Sequence, residues 1–241
     1  KVDTFSTFTA PFFAGTVGLQ PTAAGLRPFP YNVTFAPGSA GNPFGANATY
    51  LGSLQEVGTR DSETSSDTYR ALVGLRYTAW GWDFESALGW SKNEVDYVGT
   101  RRLSKTGTSA AFGVPTTPQP PQPVSLSSTY NLDRPSTTRA AGQAMLIDVP
   151  RTAESTLQFF DTRATTEFGS LPGGKIGLAT GLEFRKEELK DTPDPRALAG
   201  DVLGQGITAT TGSRDNLALY AELALPFTRQ LEGQVALRYD D

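Results

Sequence analysis

Between Tyr69 and Tyr97, apolar and polar side chains alternate with the period of two that a half-buried strand requires. From Ala71 the odd positions are Ala71, Val73, Leu75 and Tyr77; the even ones include Arg70, Gly74, Arg76 and Thr78, with Leu72 as the exception. After a turn at Ala79-Trp80-Gly81-Trp82, the apolar register passes to Trp82, Phe84, Leu88 and Trp90, interrupted by Ser86. Asp83, Glu85, Ala87, Gly89, Ser91 and Asn93 occupy the other register. The pattern predicts a long hairpin with one greasy face, one polar or small face, and aromatics gathered at its tight end.

The same design returns twice. Phe160, Thr162, Ala164, Thr166 and Phe168 oppose Asp161, Arg163, Thr165 and Glu167; a turn at 169–174 follows, and then Ile176, Leu178, Thr180, Leu182 and Phe184 oppose Gly177, Ala179, Gly181, Glu183, Arg185 and Glu187. A third hairpin sets Leu217, Leu219, Ala221, Leu223 and Leu225 against Asn216, Ala218, Tyr220 and Glu222. It turns at 226–230 and ends on Val235, Leu237 and Tyr239 against Glu232, Gln234, Ala236 and Arg238.

The connecting segments break this order. Residues 1–45 scatter Phe among Pro and Gly, which remove ladder donors, so beyond a strand within 1–13 they read as an irregular Phe/Pro/Gly-rich loop. Residues 49–60 read as a strand and 61–67 as a polar turn. Residues 98–153, rich in Pro, Thr, Ser and Gln, read as a long loop with a short helix or strand around 140–149, and 191–212 as another loop. The Asn32 and Asn47 sequons carry no weight in a bacterial setting.

Strand length and loop asymmetry decide the class. A run such as Trp82 to Tyr97 exceeds the roughly 5 to 6 residues usual in soluble sheets. A membrane-crossing strand needs about 9 to 11 residues, and outer-membrane barrels join such strands by short turns at one end and long loops at the other. The expected fold is all-β: an antiparallel up-and-down meander forming part of a large transmembrane β-barrel. Trp80, Trp82, Phe168 and Phe227 at the tight turns fit an interfacial aromatic girdle, or the capping of a soluble core.

Composition changes the picture mainly by exclusion. The 241 residues are 38% hydrophobic with a net charge of -4, no Cys and no His. That leaves no thiolate site, no histidine base and no basic patch suited to nucleic acid, so an enzyme is not expected and neither a metal nor a cofactor is called for. No apolar run reaches the length of a spanning helix, which excludes only helices. The chain begins Lys1-Val2-Asp3-Thr4 and stops within a strand pattern, so it reads as an internal piece of a longer protein.

Apparent chemical motifs have plainer readings. The Gly169 to Lys175 run has the spacing of a phosphate loop, but Ile176 follows where a hydroxyl is needed, and a strand follows where a helix is needed. Asp191, Asp194 and Asp201 lack calcium-loop spacing. Asp83 with Glu85, and Glu183 with Glu187, read as lumen charges pairing with Arg76, Arg163, Arg185 and Arg238. Lys92 and Lys186 fall late on the apolar register, where they either pair with lipopolysaccharide phosphates or stand in water beyond the membrane. Phe12, Phe13, Phe29, Tyr31 and Tyr130 are candidates to stack on a sugar or a flat siderophore.

Asn42-Pro43-Phe44-Gly45 followed by Glu56-Val57-Gly58-Thr59-Arg60, Tyr69-Arg70-Ala71-Leu72-Val73-Gly74-Leu75 with Gly81-Trp82-Asp83-Phe84, Gly181-Leu182-Glu183-Phe184-Arg185 with Asp201-Val202-Leu203-Gly204-Gln205-Gly206, and Ala221-Glu222-Leu223 with Val235-Ala236-Leu237-Arg238-Tyr239-Asp240-Asp241 occur in an order and spacing that resembles the barrel of TonB-dependent outer-membrane receptors. The resemblance runs from about Asn42 to the end. It implies a bacterial outer-membrane location and TonB-energised uptake of a scarce nutrient of the siderophore, carbohydrate or peptide class. It also implies extracellular long loops, 98–153 among them, and periplasmic turns. The expected partners are outer-membrane lipid and lipopolysaccharide, a plug domain absent from these residues, and TonB acting through a missing N-terminal region. The alternatives are a passive porin-like barrel and a soluble extracellular β-sandwich binding module.

Overall fold

The computed structural model describes residues 1–8, 11, 17–30, 33–38, 42, 44–49, 52, 54–112 and 135–241. Seven antiparallel strands form an open sheet in the order β1 (Val2–Phe8), β6 (Arg60–Ala79), β7 (Trp82–Leu103), β8 (Leu146–Leu171), β9 (Gly174–Pro193), β10 (Thr210–Pro226) and β11 (Glu232–Asp240). Apart from the step from β1 to β6, neighbours in the sheet are neighbours in sequence, as an up-and-down meander demands. Two small hairpins, β2 (Val17–Thr22) with β3 (Gly25–Pro30) and β4 (Thr34–Phe35) with β5 (Ala48–Thr49), lie in that step. Three helices, α1 (Lys105–Phe112), α2 (Pro135–Ala144) and α3 (Pro195–Leu198), occupy the other long connections.

The three sequence-predicted hairpins are present, and their turns are tight. Trp80 and Gly81 both take positive φ, 51° and 78°, the two-residue turn whose twist matches paired strands. Tyr77 stacks on Phe84 across this hairpin, ring centroids 4.8 Å apart, which confirms the shared apolar register. Glycines on the opposite register make room for rings from the next strand: a Cβ on Gly89 would stand 2.1 Å from Phe159, and one on Gly181 2.4 Å from Tyr220.

The boundaries differ from expectation at the long-connection end. Residues 61–67 are not a turn but strand, paired with β1 from Thr7↔Asp61 to Val2↔Ser66. Residues 49–60 are not one strand: Thr49 belongs to the two-residue β5, a 3-10 turn covers Gln55–Val57, and Arg60 already opens β6. Within 1–45, β2 and β3 form a hairpin where irregular loop was expected. Strand β7 continues to Leu103 and β8 begins at Leu146, so much of 98–153 is strand and helix. Strand β9 likewise runs to Pro193 and β10 starts at Thr210. For the strand ends read as turn or loop the reason is shared: residues there follow no fixed alternation of apolar and polar, so the period of two vanishes although the strands continue.

Two compact units divide the chain. The first, the loop unit, comprises Lys1–Ser66, Val95–Thr152 and Asp191–Ala209. It has a true apolar core: Val33, Phe35, Leu54, Leu103, Ala111, Phe112, Ala141, Met145 and Leu203 cluster, and Val149, Ala197 and Val202 form a second, smaller group. The second, the hairpin unit, comprises Asp67–Glu94, Ala153–Lys190 and Thr210–Asp241. Its apolar register is bare. Val73, Leu75, Tyr77, Leu88, Leu219, Val235 and Leu237 are all exposed, Leu237 by 76%. Among the described residues no second layer covers this face, which a soluble sandwich would bury.

Candidate functional site

The polar register of the hairpin unit is a ladder of paired charges. Arg76 donates to Glu85 through Nε (3.0 Å) and Nη2 (2.6 Å), and Arg163 reaches the other oxygen of the same carboxylate. Arg238 joins Glu183 (3.0 Å) and Asp240 (2.9 Å), Arg185 stands 4.0 Å from Glu183, and Arg214 pairs with Glu187. Asp83 accepts from the Thr78 hydroxyl at 2.6 Å. Of the four acids expected to pair with arginine, Glu85, Glu183 and Glu187 do so, whereas Asp83 is held by the Thr78 hydroxyl instead. Lys175 pairs with Glu167 beside the turn at Pro172 and Gly173, and strand continues on both sides, so the phosphate-loop spacing is a hairpin turn.

On the apolar register, Lys92 bridges Glu94 (2.8 Å) and Glu154 (3.0 Å), and Lys186 pairs with Glu188 (2.9 Å). Each cation already has an internal counter-charge.

In the loop unit, hydrogen bonds tie the long connections together. Ser104 caps α1 by accepting from Gly107 N–H (2.9 Å) and donates to Asp201 (2.7 Å). The other Asp201 oxygen accepts from the Thr106 N–H (2.8 Å) and hydroxyl (2.6 Å), so a carboxylate from the third long connection sits at the positive end of α1. Lys105, buried, donates to the Leu19 carbonyl of β2 at 2.6 Å. Burial pushes its pKa down, against the opposing pull of Asp201. Buried Asn42, from the quoted Asn-Pro-Phe-Gly motif, donates to the Phe35, Ala36 and Ala46 carbonyls and accepts from Phe44 N–H.

Asp191, Asp194 and Asp201 do not converge on a cation: Asp191 binds Arg151, Asp194 caps α3 and binds Arg196, and Asp201 serves α1. The Arg196 side chain hydrogen-bonded to Asp194 outweighs burial and holds that carboxyl below the usual aspartate range. Because the folded pKa is the lower one, this stabilisation is complete above the unfolded value of about 3.9 and is lost as pH falls through the folded value. Pepsin should therefore leave 194–209 intact at pH 4 and cut it at pH 2, whereas Asp194→Asn should be cut at both. Equal resistance of the variant at pH 4 would assign the acid sensitivity to another group.

Of the aromatic candidates, Phe29 is half-buried, lies directly over Gly18 in the β2–β3 pairing, and packs against the larger core. Phe12, Phe13, Tyr31 and Tyr130 lie outside the described residues. Sequence reasoning overlooked a second grouping, where Arg102 donates to Ser62 Oγ (2.9 Å) and the Tyr97 hydroxyl (3.1 Å) and lies over Gly99. Its only signal was Gly99 followed by paired arginines inside a segment read as loop.

No curated protein and no solved structure matches the chain. Residues 12–241 match the family described as TonB dependent receptor-like, beta-barrel. With its meander order, its bare apolar register and that match across nearly the whole length, the chain belongs to the TonB-dependent receptor β-barrel family.

Proposed function

We propose that the protein is an outer-membrane receptor that takes up a scarce nutrient using energy delivered through TonB. The observation that carries this reading is the exposed apolar register of the hairpin unit in a chain of this family, whose barrels lie in the outer membrane of Gram-negative bacteria. Lipid covers that register; the paired charges of the other register line the lumen and face the plug. The connections that follow β1, β7 and β9 are read as the extracellular, ligand-facing ones, and the tight turns as periplasmic.

The nutrient is of the siderophore, carbohydrate or peptide class, and the family acts by transport rather than catalysis. Outer-membrane lipid is the partner of the apolar face, and lipopolysaccharide surrounds its outer rim. Because Glu94, Glu154 and Glu188 already neutralise Lys92 and Lys186, those lysines add little to phosphate binding there.

The test is uptake by cells expressing the full-length receptor as their sole nutrient receptor, with labelled ferric siderophores, maltooligosaccharides and peptides. Uptake of one class should stop when TonB is deleted. Uptake that persists without TonB would identify a passive pore instead.

A further inference from the structure

Arg102 is held by neutral groups in a way that its neighbours are not. Arg101 takes a left-handed backbone, φ 53°, rare for a side chain that large and typical of a bulge. Beyond it the Arg102 guanidinium lies flat over Gly99, where an added Cβ would stand 2.8 Å from Nε and 2.9 Å from the Tyr97 hydroxyl. Its Nη2 is shared between Ser62 and Tyr97, and its centre stands 5.9 Å from the Phe8 ring. Phe8 is in turn the strand partner of Arg60. Arg101 pairs with Asp61 and Arg151 with Asp191, but among the described residues no carboxylate pairs with Arg102, and its Nε is buried without an acceptor.

We propose that Arg102, Arg60, Tyr97 and Ser62 form an anion-binding point for the imported ligand, taking a carboxylate or phosphate group. The inference rests on the import function proposed above and specifies its substrate class. Arg60, whose backbone pairs with that of Phe8, and Arg102, whose guanidinium stands over the Phe8 ring, repel each other. Burial and the positive charge of Arg102 together lower the Arg60 pKa. An anion between them converts that repulsion into attraction, and drawing Arg102 upward gives its buried Nε an acceptor. The hydroxyls contribute as donors: Ser62 Oγ and Tyr97 Oη are 3.1 Å apart, so only one can donate to the other. The remaining hydroxyl proton is free for the anion. Gly99 serves by having no side chain, and the left-handed Arg101 serves by turning Arg102 onto this face.

The test is calorimetric titration of the full-length receptor in detergent with citrate and, separately, inorganic phosphate at low salt. At least one should bind saturably, more weakly as NaCl is added. Arg102→Ala should weaken that binding about tenfold or more, with Arg102→Lys in between and Tyr97→Phe milder. Arg214→Ala, in the hairpin unit, should bind as the wild type does. Each variant is compared only if it keeps the heat-dependent gel shift of a folded barrel; Tyr97→Phe, which retains every charge, provides a second route if Arg102→Ala misfolds. No saturable binding of either anion by the wild type, or undiminished binding by the variants, would overturn the proposal. Anion binding combined with TonB-independent uptake would instead sink the import reading and leave the anion site standing.

Discussion

Val73→Arg is expected to destabilise the folded barrel in lipid by about 2–4 kcal/mol, the cost of a cation at mid-membrane. Val73 is 71% exposed and stands midway along the apolar register of β6. In a soluble protein such a position accepts arginine within about 0.5 kcal/mol. Leu72 provides the internal comparison. It is 55% exposed and adjacent in sequence, yet its side chain has the parity of Arg70 and Arg76. Leu72→Arg should cost much less than Val73→Arg, because its charge enters the polar lumen. Denaturant unfolding of the full-length receptor in vesicles measures both. Equal small effects would mean that water, not lipid, covers the Val73 face.

Phe112→Ala should cost the loop unit about 3–5 kcal/mol, the range for deleting a fully buried aromatic ring. Phe112 has no exposed surface, its ring centroid is 6.0 Å from that of Phe35, and the cluster around it draws on β4, α1, α2 and the third long connection. No member of either apolar cluster comes from the hairpin unit, so the damage should stay in the loop unit. The expected result is rapid proteolysis within 9–59, 104–145 and 194–209 on whole cells, with normal outer-membrane yield and an intact gel shift. Loss of barrel insertion as well would show that the long connections are needed to fold the strands. A protease pattern identical to wild type would show that the cluster contributes little to holding them.

Both predictions rest on features that were legible to different degrees. The hairpins were readable because lipid on one side and a polar lumen on the other impose opposite demands on successive residues, and Trp82, Phe84, Leu88 and Trp90 against Asp83 and Glu85 record that demand directly. The pairing of Arg76 and Arg163 with Glu85 followed once register was fixed, since opposite charges on one face of adjacent strands meet, whereas Arg238 reaches Glu183 across the intervening β10. Leu103, Met145 and Leu203, by contrast, carry no periodicity that links them, and their clustering was invisible in the sequence. The two roles of Asp201, and the hold of Ser62 on Arg102, were invisible for the same reason: each depends on residues distant in the chain.

The sequence by itself determined the fold class, the registers of the three hairpins and the family, because a strand with one apolar and one polar face writes its environment into every second residue. Only the tertiary structure decided how far the strands run past that apolar zone, that the long connections share a core, and that Arg102 is held by hydroxyls. Beyond the apolar zone apolar residues such as Leu103 and Val149 turn to a core built from distant segments, so the local alternation loses its information. What holds Phe112 against Phe35, or Arg102 against Ser62 and Tyr97, is contact between segments that no local periodicity connects.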